Sequence, residues 1–372
     1  MTIVIAAGGT GGHLYPAVAL AREFLRRDPS TRILFIGTPR GIEAKVLAHE
    51  GFELALITAS PVMGKGLLDV MQGMLSVPVG LWQSLQILRR RRADLVIGVG
   101  GYTSPTMLAA AALRGIARVI LEPNAYPGMA NRMVAPFAQR IFLAFESAVT
   151  SFDWQKVRVV GTPIRHDFLT QSWQSEASSA GTAPRLLIFG GSQGAKTINS
   201  TILDGLTSLI ERLPGLAITH QTGESDHQQV SEAYRTLGVN AEVVPFLYDM
   251  PKVLRAADLV VARAGAMTIA ELTACGKPAI LIPLPTAIYD HQMKNARAME
   301  AAGGATVLSQ ADLTGAGLSE LICAILQNPQ RLQTMGSKSW EMRRIDASEV
   351  IVRECYTLMG VTHDINRSIG AA

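Results

Sequence analysis

The sequence predicts an α/β protein of two similar domains, each a parallel sheet with helices on its faces. Three observations predict it. Short apolar runs of strand length alternate with longer segments of helical periodicity, which is the pattern of strand–helix–strand units. The alternation stops once, in the polar stretch from Thr170 to Pro184 (TQSWQSEASSAGTAP), and then restarts. A stretch rich in Ser, Ala and Gly reads as a linker or a long exposed loop. Each half also opens alike, with IVIAAGGTGGH in the first and LLIFGGSQGAK in the second: a strand, a glycine-rich turn and a helix. Two such domains facing each other across a cleft is the simplest arrangement.

In the first half, residues 3–7, 33–36, 95–99, 119–121 and 140–143 read as buried strands, with 157–160 as a further one. Helical segments over 16–27 and 42–49 lie between them. In the second half the strands fall at 186–189, 217–220, 242–245, 259–262, 279–283 and 306–308. Residues 337–359 look helical and carry no strand. The expected division is therefore 1–164 and 165–339, with a C-terminal helix over 340–360 packing back on the first domain.

The 372 residues suit two domains at roughly 150 residues each. An apolar fraction of 48% against 17% charged excludes a disordered chain. The 34 Lys+Arg against 30 Asp+Glu give a net charge of +4, too mild to imply nucleic acid but suited to a surface that meets anions. Cys275, Cys323 and Cys355 are widely spaced, with no disulfide framework and no CxxC pair, which indicates a reducing compartment. The Ala-rich stretch 107–121 is interrupted by Arg114 and Arg118, so it is not a membrane span. The first seven residues lack a charged n-region and read as a strand rather than a signal peptide. The expectation is a cytosolic protein, or one loosely attached to a membrane.

The turn Gly8-Gly9-Thr10-Gly11-Gly12-His13 stands between a strand and a helix. Glycines let the backbone approach a ligand, and a helix N-terminus favours an anion. A dinucleotide turn needs G-x-G-x-x-G, but Leu14 occupies the third glycine position, and the second strand ends in Gly37-Thr38 rather than an acid. The oxidoreductase reading therefore fails. The second turn, Gly190-Gly191-Ser192-Gln193-Gly194-Ala195-Lys196-Thr197, misses a P-loop by one residue, because Ala195 replaces glycine. It can still hold a phosphate or diphosphate through backbone N–H groups and the Ser192 hydroxyl. His13 lies just inside a helix N-terminus, whose positive end disfavours imidazolium. A neutral imidazole there either accepts a proton from a sugar hydroxyl or merely packs in the turn.

Two further segments carry both a structural and a functional reading. Thr268-x-x-Glu271 matches a capping box, while Glu271 could equally accept hydrogen bonds from ribose hydroxyls. Asp290-His291-Gln292 with Lys294-Asn295 either starts a helix, with Asp290 near its N-cap, or binds sugar hydroxyls. No two Asp residues stand two apart, so there is no D-x-D pair to hold a metal against a diphosphate. Helix N-termini and cations such as Arg165 must then meet that charge.

The segment running from Lys65 to Arg92 reads KGLLDVMQGMLSVPVGLWQSLQILRRRR. Leu67, Met71, Met74 and Leu75 recur at helical spacing, as do Leu81, Trp82, Leu85 and Leu88. Pro78 excludes a spanning helix. A short amphipathic helical pair closed by Arg89, Arg90, Arg91 and Arg92 can rest in an anionic lipid interface, or its stripes can pack on the domain's own sheet.

Taken in order, Gly8-Gly9-Thr10-Gly11-Gly12-His13, Gly100-Gly101-Tyr102, Glu122-x-Asn124, Gly161-x-Pro163-x-Arg165, Gly190-Gly191-Ser192-Gln193-Gly194-Ala195, Ala266-x-Thr268-x-x-Glu271 and Asp290-His291-Gln292 resemble the MurG family. These are peptidoglycan N-acetylglucosaminyltransferases of the GT-B fold, two Rossmann-like domains. The resemblance covers nearly the whole chain. One stretch departs from the family's pattern: the usual His-Glu-Gln-Asn reads Leu121-Glu122-Pro123-Asn124.

The resemblance implies inverting transfer of GlcNAc from UDP-GlcNAc to the C4 hydroxyl of MurNAc in undecaprenyl-diphosphoryl-MurNAc-pentapeptide. That step converts lipid I to lipid II; no cofactor and no metal-binding residue are expected for it. It places His13 as the base, and Thr10, Gly11, Gly12 and Asn124 beside the acceptor and donor sugar. Arg165 and Ser192 fall at the diphosphate, and Leu247 at the uracil. Glu271 falls at the ribose and Gln292 at the GlcNAc hydroxyls, while Gln193, Ala266, Met267 and Thr268 are implied as further substrate-binding residues. It assigns the first domain to the acceptor and to the membrane through the stretch between Lys65 and Arg92, and the second to UDP-GlcNAc. It also implies a peripheral place on the cytoplasmic face of the bacterial inner membrane, with cell-wall synthesis proteins as partners. Two alternatives stand beside this reading: a GT-B transferase with another lipid or small-molecule acceptor, and a non-catalytic nucleotide-sugar binding protein.

Overall fold

The central strands of each sheet carry apolar side chains in immediate succession. The computed structural model describes residues 1–8, 11–39, 43–59, 67–168, 183–191 and 193–361. The linker between Thr170 and Gly181, as well as Gly9, Thr10, Lys65 and Ser192, lies outside the described residues. The chain divides into two units. One comprises residues 1–123, 127–164 and 346–372, and the other residues 124–126 and 165–345. The second unit thus takes three residues from within the first stretch and runs on past residue 339.

The first unit contains β1 (Thr2–Ala7), α1 (Gly11–Arg27), β2 (Arg32–Gly37), α2 (Glu43–Glu50), β3 (Glu53–Leu56), α3 (Leu67–Arg91), β4 (Leu95–Gly100), α4 (Ser104–Leu113), β5 (Ala117–Glu122), α5 (Met129–Val134), β6 (Arg140–Leu143) and β7 (Val157–Val159). Its sheet runs β3-β2-β1-β4-β5-β6-β7, with every pairing parallel. Ile3, Val4 and Ile5 of β1 and Leu95, Val96 and Ile97 of β4 are fully buried. That is the signature of strands covered on both faces by helices.

The second unit contains β8 (Arg185–Phe189), α6 (Lys196–Arg212), β9 (Ala217–Gln221), α7 (His227–Thr236), β10 (Ala241–Val244), α8 (Met250–Ala256), β11 (Leu259–Ala262), α9 (Ala266–Ala274), β12 (Ala279–Leu281), α10 (His291–Ala301), β13 (Ala305–Val307), α11 (Gly315–Leu326) and α12 (Pro329–Glu341). Its sheet runs β10-β9-β8-β11-β12-β13, again all parallel. The fold is thus the expected pair of Rossmann-like sheets.

Two helical expectations need correction. Residues 337–359 are not one helix. Asn328 caps α12, which ends at Glu341, and α13 (Ala347–Met359) begins after a break. Ile351, Val352, Cys355 and Tyr356 of α13 belong to the core of the first unit beside Phe24 of α1, where Phe24 and Tyr356 meet edge to face at 5.8 Å. The segment ending in Arg92 is a single helix, α3, rather than a pair, and it carries Pro78 internally. Gly80 explains its close seat: a Cβ there would lie 2.5 Å from the Thr58 carbonyl oxygen. Leu88 is buried, and Leu81 and Leu85 pack on the same core cluster, so this stripe faces the protein's own core. Trp82, by contrast, is 60% exposed. The side chains of Leu67, Met71, Met74 and Leu75 lie outside the described residues. No helix among the described residues is long and apolar enough to cross a membrane.

Candidate active site

In an open parallel sheet, ligands gather outside the carboxyl ends of the strands, where the strand order reverses. In the first unit that point lies between β1 and β4. The loop after β1 leads into α1, so Gly11, Gly12 and His13 form its first turn, at the positive end of the helix. β4 ends at Gly100 and the loop after it starts at Gly101, both at positive φ (119° and 76°). A Cβ on Gly101 would lie 2.0 Å from the Gly8 carbonyl oxygen, and one on Gly100 would lie 2.9 Å from Nε2 of His13. Only glycines permit this approach, and the His13 ring therefore rests on bare backbone. Buried Ser104 fixes the two turns together. Its hydroxyl accepts from the Gly100 N–H (2.9 Å) and donates to the Ala6 carbonyl (2.9 Å). Sequence reasoning did not single out Ser104.

Glu122, at the end of β5, is buried and turned inward. Its carboxylate accepts from the Gly128 N–H (2.9 Å) and the Asn131 side chain (3.0 Å), closing the loop that carries Asn124. Asn124, Ala125 and Tyr126 belong to the second unit, and Asn295 of α10 holds them there. Asn295 is fully buried. Its carbonyl accepts from the Ala125 N–H (2.8 Å), and its amide donates to Asn124 Oδ1 (3.3 Å) and the Ala264 carbonyl (3.2 Å). The Lys294 ammonium sits 3.4 Å from the centre of the Tyr126 ring. The Asn295 amide is therefore spent within the unit, which fits the helix-start reading of this residue. Replacing Asn295 with Leu leaves the buried Ala125 N–H and Ala264 carbonyl without it, so urea unfolding should show a loss of roughly 1–3 kcal/mol.

In the second unit the strand order reverses between β8 and β11. The turn after β8 is the second glycine-rich turn, closed by the Gly194 N–H on the Gly191 carbonyl (2.9 Å). It is braced from behind by the turn after β9. A Cβ on Gly194 would lie 1.9 Å from the Thr222 carbonyl oxygen, and one on Gly223 would lie 2.2 Å from the Gln193 carbonyl oxygen. Asn199 on α6 completes the brace by donating to the Thr222 carbonyl (2.9 Å) and to Asp226 (2.8 Å). Buried His220 faces Asn199 through Nε2 (3.1 Å) and the Tyr234 hydroxyl through Nδ1 (3.1 Å). Burial pushes its pKa down to about 4, so this ring is neutral near pH 7.

On the other side of the reversal, α9 begins directly after β11. Its N-cap is Gly265, in extended backbone and with no capping side chain. Thr268 is the third residue of the helix, so the capping box expected for Thr268 and Glu271 does not form. The first backbone N–H groups of α9, on Ala266, Met267 and Thr268, lack acceptors within the helix. Glu271 follows one turn later on the face of Thr268. Its surface is part-exposed, yet burial pushes its carboxyl up to about 7, with the charge of Arg165 acting in the opposite direction. The structure thus brings Arg165 and Glu271 within electrostatic reach, and Arg165 also lies over the Phe168 ring (5.6 Å). Arg263 is buried and spends its guanidinium on the Ile282 and Pro283 carbonyls and on Gln310, which ties the end of β11 to the loop after β12.

That loop launches Gln292. Tyr289 and Asp290 both lie in the left-handed region (φ 57° and 55°). This costs of order 1–3 kcal/mol each, the kind of strain held where a site needs it. Asp290 occupies the N-cap of α10, but its side chain makes no cap bond. Gln292 accepts from the Leu284 N–H (2.9 Å). Leu247 lies past β10, the edge strand, beside Phe246 and the 80% exposed Tyr248, which stack edge to face at 5.0 Å. Leu247 is therefore three strands away from β11 and Glu271.

Residues 3–143 match the glycosyltransferase family 28 N-terminal domain, and residues 185–351 match the glycosyltransferase family 28 C-terminal domain. The chain is 46% identical over 356 residues to the UDP-N-acetylglucosamine--N-acetylmuramyl-(pentapeptide) pyrophosphoryl-undecaprenol N-acetylglucosamine transferase of Geobacter sulfurreducens, covering 95% of this chain and 98% of that one. It is 45% identical to the transferase of the same name from Syntrophus aciditrophicus, over 96% of this chain and 98% of that one. The chain belongs to the MurG family. The crystal structure of Acinetobacter baumannii MurG superposes with a TM-score of 0.76 at 27% identity, covering 96% of this chain and 99% of that one. The fold of the two units is therefore the GT-B fold of MurG.

Proposed function

We propose that this chain transfers GlcNAc from UDP-GlcNAc to the C4 hydroxyl of MurNAc in undecaprenyl-diphosphoryl-MurNAc-pentapeptide, converting lipid I to lipid II. The observation that carries the donor half is the meeting of three features at the β8/β11 reversal. These are a glycine turn braced from behind, a helix start with uncapped N–H groups, and a carboxyl one turn further on. A diphosphate needs the first two, and a ribose diol needs the third.

Each residue then has a role. The glycine turn with Ser192 and Gln193 receives the diphosphate, together with Arg165 and the N–H groups of Ala266, Met267 and Thr268. Glu271 accepts from the ribose hydroxyls, the Leu247 backbone meets the uracil, and Gln292 meets the GlcNAc hydroxyls. In the first unit Thr10, Gly11 and Gly12 line the acceptor, and Asn124, which belongs to the second unit, lies beside the donor sugar. His13 takes the proton from the attacking C4 hydroxyl while the bond from the anomeric carbon to UDP breaks. The hydroxyl oxygen forms the new bond on the opposite face, UDP leaves with the bonding pair, and the configuration inverts. An uncapped helix start and a guanidinium at the leaving group stabilise the charge that develops there. The test is UDP release from UDP-GlcNAc with and without a short-chain lipid I analogue. Acceptor-dependent release is expected, and release indifferent to the analogue would refute the transfer.

The first unit also supplies a means of meeting a lipid surface on the cytoplasmic face of the inner membrane. Trp82 is 60% exposed on α3, Val77 and Val79 are each 46% exposed, and Arg89 and Arg90 project at the end of the same helix. Exposed apolar residues beside basic ones suit an anionic interface. In vesicle flotation, exchanging Arg89, Arg90, Arg91 and Arg92 for Gln should weaken binding mainly at low salt. Trp82→Ala should weaken it at all salt concentrations. Equal flotation of both variants and wild type would remove α3 from that role.

A further inference from the structure

Gln221 is the last residue of β9, the strand between β8 and β10. It pairs with Phe189 on one side and Val244 on the other, the final residues of those strands. The backbone ladder ends there, but the side chain of Gln221 continues it. It is 3% exposed; its Oε1 accepts from the Gly190 N–H (3.3 Å), and its Nε2 donates to the Pro245 carbonyl (3.1 Å). One primary amide thus stands in for a peptide group between two loops that have left the sheet. The first loop is the glycine turn beginning at Gly190, and the second is the loop from Pro245 to Tyr248 that carries Leu247. The Gly223 N–H donates to the same Pro245 carbonyl (3.2 Å), so the second loop is held at one point from two sides. The residue type is constrained: a carboxylate cannot donate, an apolar chain can do neither, and a shorter amide reaches only one side.

We propose that Gln221 is a positioning residue of the donor site, which locks the diphosphate turn to the base loop so that one nucleoside diphosphate is bound as a unit. This rests on the assignment of those two loops to UDP made above. Gln221 itself touches no substrate. Its loss should therefore spare ligands that use one loop and penalise those that span both.

The test compares UDP and uridine binding by calorimetry for wild type, Gln221→Leu and Gln221→Asn. With the bridge lost, the UDP dissociation constant should rise about tenfold while that of uridine stays within about a factor of two. The KM for UDP-GlcNAc should rise in parallel with kcat largely kept. Gln221→Asn keeps an amide at the position but is one methylene short, so it should show the same split even if the Leu variant folds poorly. Unchanged UDP affinity in both variants would overturn the inference. So would a proportional loss of uridine and UDP, the mark of a merely structural role. If wild type binds no UDP, the donor assignment falls and the inference falls with it.

Discussion

His13→Ala should lower kcat for lipid I by about 10²–10⁴-fold while leaving the affinity for UDP unchanged. The expectation follows from where the ring sits. It occupies the first turn of α1, against the bare backbone of Gly100, on a unit that contains none of the residues assigned to the nucleotide. A base contributes only as the proton moves, so its loss should appear in kcat and kcat/KM equally. Stopped assays of UDP release, paired with calorimetric UDP binding, separate the two quantities. A variant turning over within a factor of a few of wild type would take His13 out of the reaction and leave it a packing residue of the turn.

Glu271→Ala should weaken UDP-GlcNAc binding by roughly 100-fold, the scale of one strong hydrogen bond to a charged acceptor. The raised pKa adds a pH signature. The carboxyl titrates near pH 7 in the folded protein and near its ordinary 4.5 when unfolded. Between those values the folded state holds a proton that the unfolded chain has released. This group's contribution to stability is therefore fully present below about 4.5 and declines as pH rises through 7. Glu271→Gln should remove that decline and raise Tm relative to wild type at pH 8. Ribose hydroxyls donate best to the ionised form, so uridine should bind roughly tenfold tighter at pH 8 than at pH 6, in proportion to the ionised fraction. Uridine is the right probe because it carries no phosphate titrating in that range. Flat uridine affinity between pH 6 and 8 would show that Glu271 does not hold the ribose.

The central strands of both sheets are visible in the sequence. Runs such as IVI in β1, LVI in β4 and LVV in β11 have no polar alternation, so they can only be strands covered on both sides. β3 is harder to read from the sequence because it is a four-residue edge strand, exposed at both ends, whose apolar run begins only at Leu54. Of the two readings of Thr268-x-x-Glu271, the capping box fails for a local reason. Gly265 is itself an acceptable N-cap, and it starts α9 three residues before the position that the Thr268-x-x-Glu271 pattern suggests.

Other parts of the candidate site depend on distant residues and could not be read locally. Asn295 looks like any polar residue at a helix start, and only the fold shows that its amide is consumed by Ala125, Asn124 and Ala264. Gln221 and Ser104 are likewise single polar residues beside apolar runs, and their partners lie across the sheet. The glycine turns were legible because their chemistry is carried by the backbone. The side chains that brace them were not.

The central claim is that both units serve one transfer onto a lipid-linked muramyl sugar. Mass analysis of the lipid after incubation with UDP-GlcNAc and a short-chain lipid I analogue tests this most directly. The expected result is one product heavier than the analogue by a single N-acetylhexosamine, formed in step with UDP. An unmodified lipid in the presence of bound UDP-GlcNAc would contradict it.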